Sequence, residues 1–281
     1  MQADIDILHH SDFYRVLDFK CRCTDHGTSP REYVQSFSVS FIRKGNFIYN
    51  VFRHSYDSYN GKILLTKAGH EHTVTHAHHV PDECTIIQFS QRFYQHLIDH
   101  YHLKRHWFFG NSDLHSILLS TDVDLEYLHH QILINKKSGN RLLTDNLIME
   151  LVHQIMANLD IKQAISPIGD KLKKHHLVTI ERAKEYITNN FSNDISLSAI
   201  ADYCYVSPFH FSRIFKTFTA HSPYQYLQKV RLKNSEWLLR QTDWSVTDIC
   251  FASGFNSLEH FITSFKQTYR RSPSRFRQSG K

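Results

Sequence analysis

The stretch SPFHFSRIFKTFTAHSP, residues 207–223, decides the fold of this chain, because its pattern returns 50 positions later as SLEHFITSFKQTYRRSP, residues 257–273. Shorter matches precede both copies, Ser196-Leu197 before the first and Ser245-Val246 before the second. Two copies are too few for a solenoid, in which each repeat buries its face against neighbours. The pattern therefore predicts two compact modules, at about 196–219 and 245–269, each with a short helix, a turn and a longer helix.

The longer helix of each module is predicted to have a buried stripe and an exposed stripe. In the first module the buried stripe has apolar residues at helical spacing, namely Phe211, Ile214, Phe215 and Phe218. The opposite stripe, about 200° around the helix, contains Phe209, Ser212, Arg213 and Lys216. In the second module the corresponding outward residues are Glu259, Ile262, Thr263 and Lys266, with Phe261 and Phe265 inward.

A long helix is predicted between the modules. Ser222-Pro223-Tyr224-Gln225 has a capping serine, a proline at the first helical position and a glutamine three residues after the cap. The apolar pattern that follows predicts roughly 17 to 19 helical residues, or about 25 to 29 Å. Together with the width of the modules, this length would place two exposed helices about one DNA turn, roughly 34 Å, apart.

Residues 176–281 resemble the DNA-binding domain of the AraC/XylS family of bacterial transcription regulators. The residues that carry the resemblance are Ser207, Phe211-Ser212-Arg213-Ile214-Phe215-Lys216, Ser222-Pro223, Tyr226-Leu227, Arg231-Leu232, Leu238-Leu239, Ile249, Gly254-Phe255, His260-Phe261, Phe265-Lys266, Ser272-Pro273 and Phe276-Arg277. The resemblance implies two DNA-binding helix-turn-helix modules, contact with RNA polymerase, and an N-terminal cupin-like barrel that binds a small-molecule effector. The sequence does not decide between activation, as in many family members, and repression.

The residues predicted to contact double-stranded DNA lie on the two longer helices. They are Phe209, His210, Ser212, Arg213 and Lys216 in the first module and Leu258, Glu259, His260, Ile262, Thr263 and Lys266 in the second. Arg213 is the strongest candidate for reading a base, since a guanidinium can bond a guanine edge twice. The alternative, that Arg213 contacts only phosphate, stays open.

Three positions depart from the family pattern. Family members usually have glycine before the two Ser-Pro pairs, where we align His221 and Arg271, and Tyr205 matches the turn glycine Gly254. A residue other than glycine in the left-handed region costs roughly 1 to 2 kcal/mol, so these helices are expected to end differently. Thr263 also stands where the family often has arginine, which predicts weaker electrostatic contact by the second module.

The positive charge of the chain lies in its C-terminal part. Residues 176–281 contain 14 Lys and Arg against 8 Asp and Glu, whereas residues 1–161 contain 15 against 18. Residues 162–175 contain 4 against 1 and have little apolar pattern, so they are the predicted linker. A basic domain suits phosphate binding with counterion release, although solvation of helix surfaces would also account for the charge taken alone.

The first 161 residues are predicted to form a sensing domain. Alternating apolar residues at 36–56 and 62–89, broken by Gly45-Asn46, Asn60-Gly61 and Pro81-Asp82, predict short strands of a small barrel within about 1–90. Apolar spacing after Ser90, including Ile117 and Leu118, predicts helices over 91–161. In the family such helices often pair subunits, so we weigh a homodimer equally against packing on the protein's own barrel. The predicted fold class is thus α+β with two domains, the second all-α.

Histidines and cysteines raise the question of a metal. His70, His72, His76, His78 and His79 lie within ten residues, Cys84 follows, and Cys21, Cys23 and His26 lie far upstream. The candidate ligands are His72, His76, His78 and Cys84, because imidazole and thiolate suit Zn²⁺ or copper. The spacing does not reproduce the usual metal-binding cupin motif, so no metal or cofactor is expected and the stretch is interpreted as a polar wall of an effector pocket.

Function classes are limited by what the sequence contains. It has no nucleophile elbow, P-loop or dinucleotide fingerprint. No apolar run is long enough to span a membrane, and five cysteines form no even set for a disulfide framework, so we expect a cytoplasmic protein and no membrane partner. The leading hypothesis is a transcription regulator that is not an enzyme. The alternatives are a cupin-type metal-dependent enzyme or metal or redox sensor fused to a DNA-binding domain, and a helical module that binds protein.

Overall fold

The computed structural model describes residues 3–23, 27–77, 81–135, 140–159 and 168–279, and the structural statements below concern these residues. The chain divides into two compact units, Met1–Val178 and Thr179–Lys281. The first is rich in sheet and the second is helical, which confirms the predicted order of a mixed N-terminal part and an all-α C-terminal part.

The larger sheet of the first unit has six strands in the order β1-β2-β9-β4-β7-β10. Their bounds are Ala3–His10 (β1), Tyr14–Cys21 (β2), Ser38–Lys44 (β4), Lys62–Thr66 (β7), Glu83–Phe89 (β9) and Ser116–Ser120 (β10). All neighbouring pairs are antiparallel. The central strand β4 is covered on both faces, with Val39 and Phe41 buried on one side and Ser38 and Ile42 on the other.

The smaller sheet has four strands in the order β3-β8-β5-β6, with bounds Glu32–Val34 (β3), Asn46–Val51 (β5), His54–Tyr59 (β6) and His70–His76 (β8). The described strands thus form two sheets with separate strand orders, and not one closed barrel. Apolar side chains of both sheets, among them Ile42, Phe47, Leu64 and Val74, pack together between them.

The predicted strand regions contain β4, β5, β7, β8 and β9 and the first three residues of β6, whereas β1, β2, β3 and β10 were not predicted. Ile117 and Leu118 belong to β10, so their assignment to a helix is wrong. Their segment pairs antiparallel with β7, with Ile117 opposite Leu65 and Leu119 opposite Ile63. Sheet pairing decided this five-residue element, whose apolar spacing fits helix and strand equally.

Three helices follow the sheets: Gln91–His100 (α1), Val123–Ile134 (α2) and Arg141–Asn158 (α3). They pack on their own sheet. His129 of α2 stacks on Phe41 of β4 with ring centroids 4.3 Å apart, and Tyr14 of β2 donates a hydrogen bond of 2.5 Å to Asp145 of α3. Packing on the protein's own sheet is one of the two roles considered for these helices. The other role, dimer formation, stays a prediction.

A long helix, Asp170–Asn190 (α4), covers the end of the predicted linker. Residues 162–167 of that linker lie outside the described residues, whereas 170–175 are helical. This part of the linker is helical because it is held by Lys173. The Lys173 side chain is buried and forms ion pairs with Asp57 and, at 2.9 Å, with Asp170. The boundary between the two units, after Val178, falls inside α4.

The C-terminal unit continues with six helices, namely Leu197–Tyr203 (α5), Pro208–Thr219 (α6), Pro223–Gln241 (α7), Val246–Ala252 (α8), Leu258–Tyr269 (α9) and Pro273–Ser279 (α10). Serine side chains cap α5, α7, α8 and α9, whereas Ser207 precedes α6 without a capping hydrogen bond. Ser196 Oγ accepts from the backbone N–H of Ala199, and Ser222 forms a capping box with Gln225. The 19 residues of α7 agree with the predicted length of that helix.

Among the described residues, no helix is both long and apolar enough to span a membrane.

Candidate nucleic-acid interface and N-terminal cavity

The exposed face of α6 is the first candidate surface. Phe211, Ile214 and Phe215 are buried, which fixes the opposite side of the helix toward solvent. There Phe209 is 83% exposed and Arg213 and Lys216 are exposed, while His210 and Ser212 are half-buried. The Arg213 guanidinium lies 3.5 Å from His210 Nδ1 and is otherwise directed to the surface. The face therefore combines two cations with a large exposed aromatic ring.

The corresponding face of α9 carries less positive charge. Phe261 and Phe265 are buried, and Glu259, His260, Thr263 and Lys266 are exposed. Leu258 and Ile262 are half-buried and pack against the apolar core of the second module. Because Leu258 and Ile262 are partly buried, they have less surface free for an external contact than the exposed residues of α9.

Left-handed residues close both longer helices, and their positions correct the sequence alignment. The positive φ values fall on Ala220 (60°) and Arg270 (60°), one residue before His221 and Arg271, where the missing glycines were placed. The N–H of Ala220 bonds the carbonyl of Lys216, and that of Arg270 bonds Lys266. Each helix therefore ends with a left-handed turn built without glycine.

The turns within the modules differ in the space that they leave. Tyr205 has φ +58° and is 84% exposed, and the Arg182 guanidinium lies 5.8 Å from its ring centroid. Gly254 has φ +83°, and a Cβ there would lie 2.5 Å from the Phe191 carbonyl oxygen. The first turn thus accepts a side chain at the cost of backbone strain, whereas the second has no room for one.

Buried polar groups attach α7 to its surroundings in the C-terminal unit. Arg231 is 7% exposed, and its Nε and Nη2 donate to the carbonyls of Phe191 (2.8 Å) and Asn193 (2.9 Å). Burial lowers the pKa of this guanidinium. Further along α7, Asn234 donates to Ser253 Oγ at 3.1 Å. The helix is therefore held at several points, and not by apolar contact alone.

A second group of contacts on α7 centres on a buried carboxylate. Glu236 is 6% exposed and pairs with Lys233 at 2.9 Å and Arg240 at 2.8 Å. The Tyr269 hydroxyl at the end of α9 donates to Glu236 Oε2 at 3.2 Å. These contacts join the spacer helix to the last turn of the second exposed helix.

The N-terminal unit contains a cavity of about 300 Å³ between its two sheets. Its wall is partly apolar, with Phe47, Leu64 and Val74, and its polar groups include the carboxyls of Glu32 and Asp82. The described residues that line it include no lysine or arginine. The cavity is at the small end of the range for ligand sites, about 300 to 1,000 Å³.

The histidines of β8 lie on one face of the strand, but the described members of the candidate set, His72, His76 and Cys84, do not form a ligand cluster with one another. His70 contacts the His115 ring (4.8 Å) and its Nε2 lies 3.2 Å from the Tyr49 hydroxyl, while His72 stacks on Tyr49 (4.6 Å). Burial lowers the pKa of His70 to about 4 and also lowers that of His72. His78 lies outside the described residues, and Cys84 is buried without joining a ligand cluster.

His76 instead meets two cysteines from the start of the chain. The ligand atoms of Cys21, Cys23 and His76 lie within 4.8 Å of one another. His76 Nδ1 is 2.6 Å from Asp82 Oδ2, and both residues are buried. Burial raises the pKa of the Cys21 thiol to about 11 and raises that of the Asp82 carboxyl. The sequence showed all three ligand residues, but their separation of more than fifty positions concealed the cluster.

The comparison with family models matches the C-terminal unit. Residues 200–279 match the family model of a helix-turn-helix domain. The bifunctional transcriptional activator/DNA repair enzyme AdaA of Bacillus subtilis (strain 168) is 32% identical over 127 residues, 45% of this chain and 59% of AdaA. The transcriptional activator RhaS of Enterobacter sp. (strain 638) is 36% identical over 93 residues, 33% of this chain and 34% of RhaS.

Among solved structures, fatty-acid-bound ToxT from Vibrio cholerae aligns over 96% of both chains with 14% identity and a TM-score of 0.40, a likeness too distant to carry an argument. The chain spans less than two thirds of the length of AdaA and of RhaS.

The C-terminal part is a tandem helix-turn-helix domain. Its similarity to these transcriptional activators confirms the resemblance to the AraC/XylS family that the duplicated modules carry.

Proposed function

We propose that this protein is a sequence-specific DNA-binding transcription regulator whose N-terminal unit senses a small molecule. The observation that carries the proposal is the pair of serine-started helices, α6 and α9, each with an exposed face opposite a buried aromatic stripe. Helices with one face held by a core and the other open are suited to the major groove. The relatives AdaA and RhaS are both named as transcriptional activators, which supports activation and contact with RNA polymerase.

The DNA-contacting set is proposed on the exposure of its members. Arg213, Lys216 and Lys266 offer charge, and Phe209 and Glu259 offer contacts to base edges. Because Glu259 can accept from cytosine whereas Arg213 donates to guanine, the two half-sites should differ in sequence. The proposed location is the cytoplasm, because a bacterial transcription regulator binds the chromosome there.

Effector binding is proposed for the cavity between the sheets, whose two-sheet arrangement is compatible with a cupin-like fold. Glu32 and Asp82 contribute carboxyls there, and the described lining residues include His72 and His76 but no lysine or arginine. Burial lowers the pKa of His72, and His76 is hydrogen-bonded to Asp82, so an anion placed in this cavity would lose its hydration without gaining a lysine or arginine partner. We therefore propose a small, partly apolar effector without negative charge. A homodimer through α2 and α3 is also proposed, supported by the exposed Leu142 and Met149 on α3.

The test is a gel shift of the full chain with DNA from upstream of its own gene, at several salt concentrations. We expect a specific complex whose affinity falls with salt, because phosphate contacts release counterions. The double variant Arg213→Ala/Lys266→Ala should lose the complex. The control Lys104→Ala/Arg105→Ala removes two exposed charges from the N-terminal unit and should retain it. Equal loss in both variants, or binding without salt dependence, would contradict the proposal.

A further inference from the structure

The cluster of Cys21, Cys23 and His76 is not used by the proposed function. Cys21 is the last residue of β2 and His76 the last residue of β8, so the ligands come from the ends of strands in different sheets. Cys23 lies two residues beyond β2 and is half-buried. The fold thus brings together three side chains with soft or borderline donor atoms, the types that Zn²⁺ prefers.

The distances suit a tetrahedral ion. Bonds of about 2.3 Å to sulfur and about 2.0 Å to nitrogen place tetrahedral ligand atoms roughly 3.5 to 3.8 Å apart. Cys21 Sγ and His76 Nε2 are 3.8 Å apart, and the three ligand atoms lie within 4.8 Å of one another. Closing the site requires a shift of at most about 1 Å on this geometry, and Cys23 belongs to no strand that would resist it.

The surrounding hydrogen bonds orient the ligands. A carboxylate accepts, so His76 Nδ1 donates to Asp82 Oδ2 at 2.6 Å and Nε2 presents its lone pair toward the cysteines. Metal-binding histidines are commonly held by a carboxylate in this way. The Cys23 backbone N–H donates to Cys21 Sγ at 3.3 Å, which keeps the two cysteines next to each other. These contacts lie where a metal site would need them.

We propose that Cys21, Cys23 and His76 bind a thiophilic divalent cation of the Zn²⁺ type, with the thiol protons released to solvent. His76 and Asp82 line the cavity between the sheets. The fourth coordination position is therefore directed to water or to a molecule in the cavity. This metal proposal does not depend on the proposed DNA binding, and the two are tested by different experiments.

The probe is Co²⁺, added to the reduced, untagged full chain. Thiolate ligation gives a sulfur-to-cobalt charge-transfer band that histidines alone do not give, which matters in a chain with 22 histidines. We expect one equivalent of Co²⁺ with tetrahedral d–d absorption, displaced by Zn²⁺. Cys23→Ser should weaken Co²⁺ binding by at least about 100-fold, and Asp82→Asn, which leaves the ligands in place, by about 10- to 100-fold.

Cys204→Ala is the matched control, because Cys204 lies in the C-terminal unit and its loss should leave the band unchanged. Cys23 is half-buried, so Cys23→Ser should keep the circular dichroism and metal-free melting temperature of the parent. Zn²⁺ should then raise the melting temperature of the parent and not of Cys23→Ser. A parent chain without the charge-transfer band, a band that survives in both Cys23→Ser and His76→Gln, or binding of Cu⁺ but not of Co²⁺ or Zn²⁺ would overturn the assignment.

Discussion

Arg213 is the residue at which base reading and phosphate binding can be separated. Its side chain is exposed on α6, opposite the buried Phe211 and Phe215. A guanidinium bonds a guanine edge in two places, whereas an ammonium provides the charge without the planar pair of donors.

We predict that Arg213→Ala weakens binding to the natural operator by about 1 to 3 kcal/mol and relaxes its preference at one base pair. Arg213→Lys should restore much of the non-specific affinity but not the base preference. Binding to an operator library by both variants is the measurement. Equal loss for all sequences, a salt slope lower by about one, and full rescue by lysine would make Arg213 a phosphate contact.

Backbone conformation provides a second test at single residues. Ala220 adopts φ +60°, a backbone conformation that favours glycine. At Gly254, by contrast, an added Cβ would lie 2.8 Å from Ser192 Cα. We predict that Ala220→Gly stabilises the C-terminal unit by up to about 1 kcal/mol and that Gly254→Ala destabilises it by about 1 to 3 kcal/mol or more. Urea unfolding of the two variants against the parent is the measurement. Opposite signs would mean that these turns adopt other conformations.

At the scale of elements, α7 depends on a buried cation. Arg231 donates to the carbonyls of Phe191 and Asn193, in the segment that follows α4. We predict that Arg231→Met destabilises the C-terminal unit by about 2 to 4 kcal/mol, since it removes two hydrogen bonds made by a charged donor. Lys229→Ala, at an exposed position of the same helix, should change stability by less than about 0.5 kcal/mol. Similar effects in both variants would assign the loss to helix propensity and not to these hydrogen bonds.

The packing of α2 on the sheet should be sensitive to acid. Burial, followed by the nearby Arg43 and His130, lowers the pKa of His129 to about 3. A histidine that is neutral when folded favours the folded state above its unfolded pKa, about 6.5, and loses that contribution as pH falls toward the folded value. We predict that His129 alone lowers the free energy of unfolding by up to about 1.4 kcal/mol per pH unit below pH 6.5.

His129→Phe keeps an aromatic ring to stack on Phe41 and should flatten this part of the pH dependence, whereas His96→Gln, at an exposed position of α1, should not. Urea midpoints between pH 7 and 5 provide the comparison. An unchanged slope in His129→Phe would show that other groups carry the acid sensitivity.

How far the sequence predicts these elements differs between the two units. The limits of α6 and α7 follow from local signals, because Ser207-Pro208 and Ser222-Pro223 start them and the aromatic spacing continues through each helix. The edge strands β1 and β10 depend on partners far along the chain. Ile5 and Ile7 of β1 are more than half exposed, so the short apolar alternation at residues 3–7 does not correspond to a buried face. The cysteine–histidine cluster is hidden for a related reason, since only the packing of one sheet against the other brings β2 near β8.

At the scale of the whole molecule, the two units divide the chemistry. The C-terminal unit carries the helix-turn-helix pair, and the N-terminal unit carries the cavity and the thiol–imidazole cluster. Ligand binding and DNA binding can therefore be measured separately in one chain.

The attachments of α7 have a consequence for the evolution of operators. Asn234 and Glu236 attach α7 to the second module, and Phe215 of α6 packs edge-to-face on Tyr226 of α7, so the C-terminal unit has little freedom to change the separation of α6 and α9. One base pair inserted between the half-sites moves the second by about 3.4 Å and turns it by about 35°. We predict that such an insertion lowers affinity more than any single base change, as competition binding would show. Operators recognised by this protein should then diverge by substitution while the length between their halves stays constant.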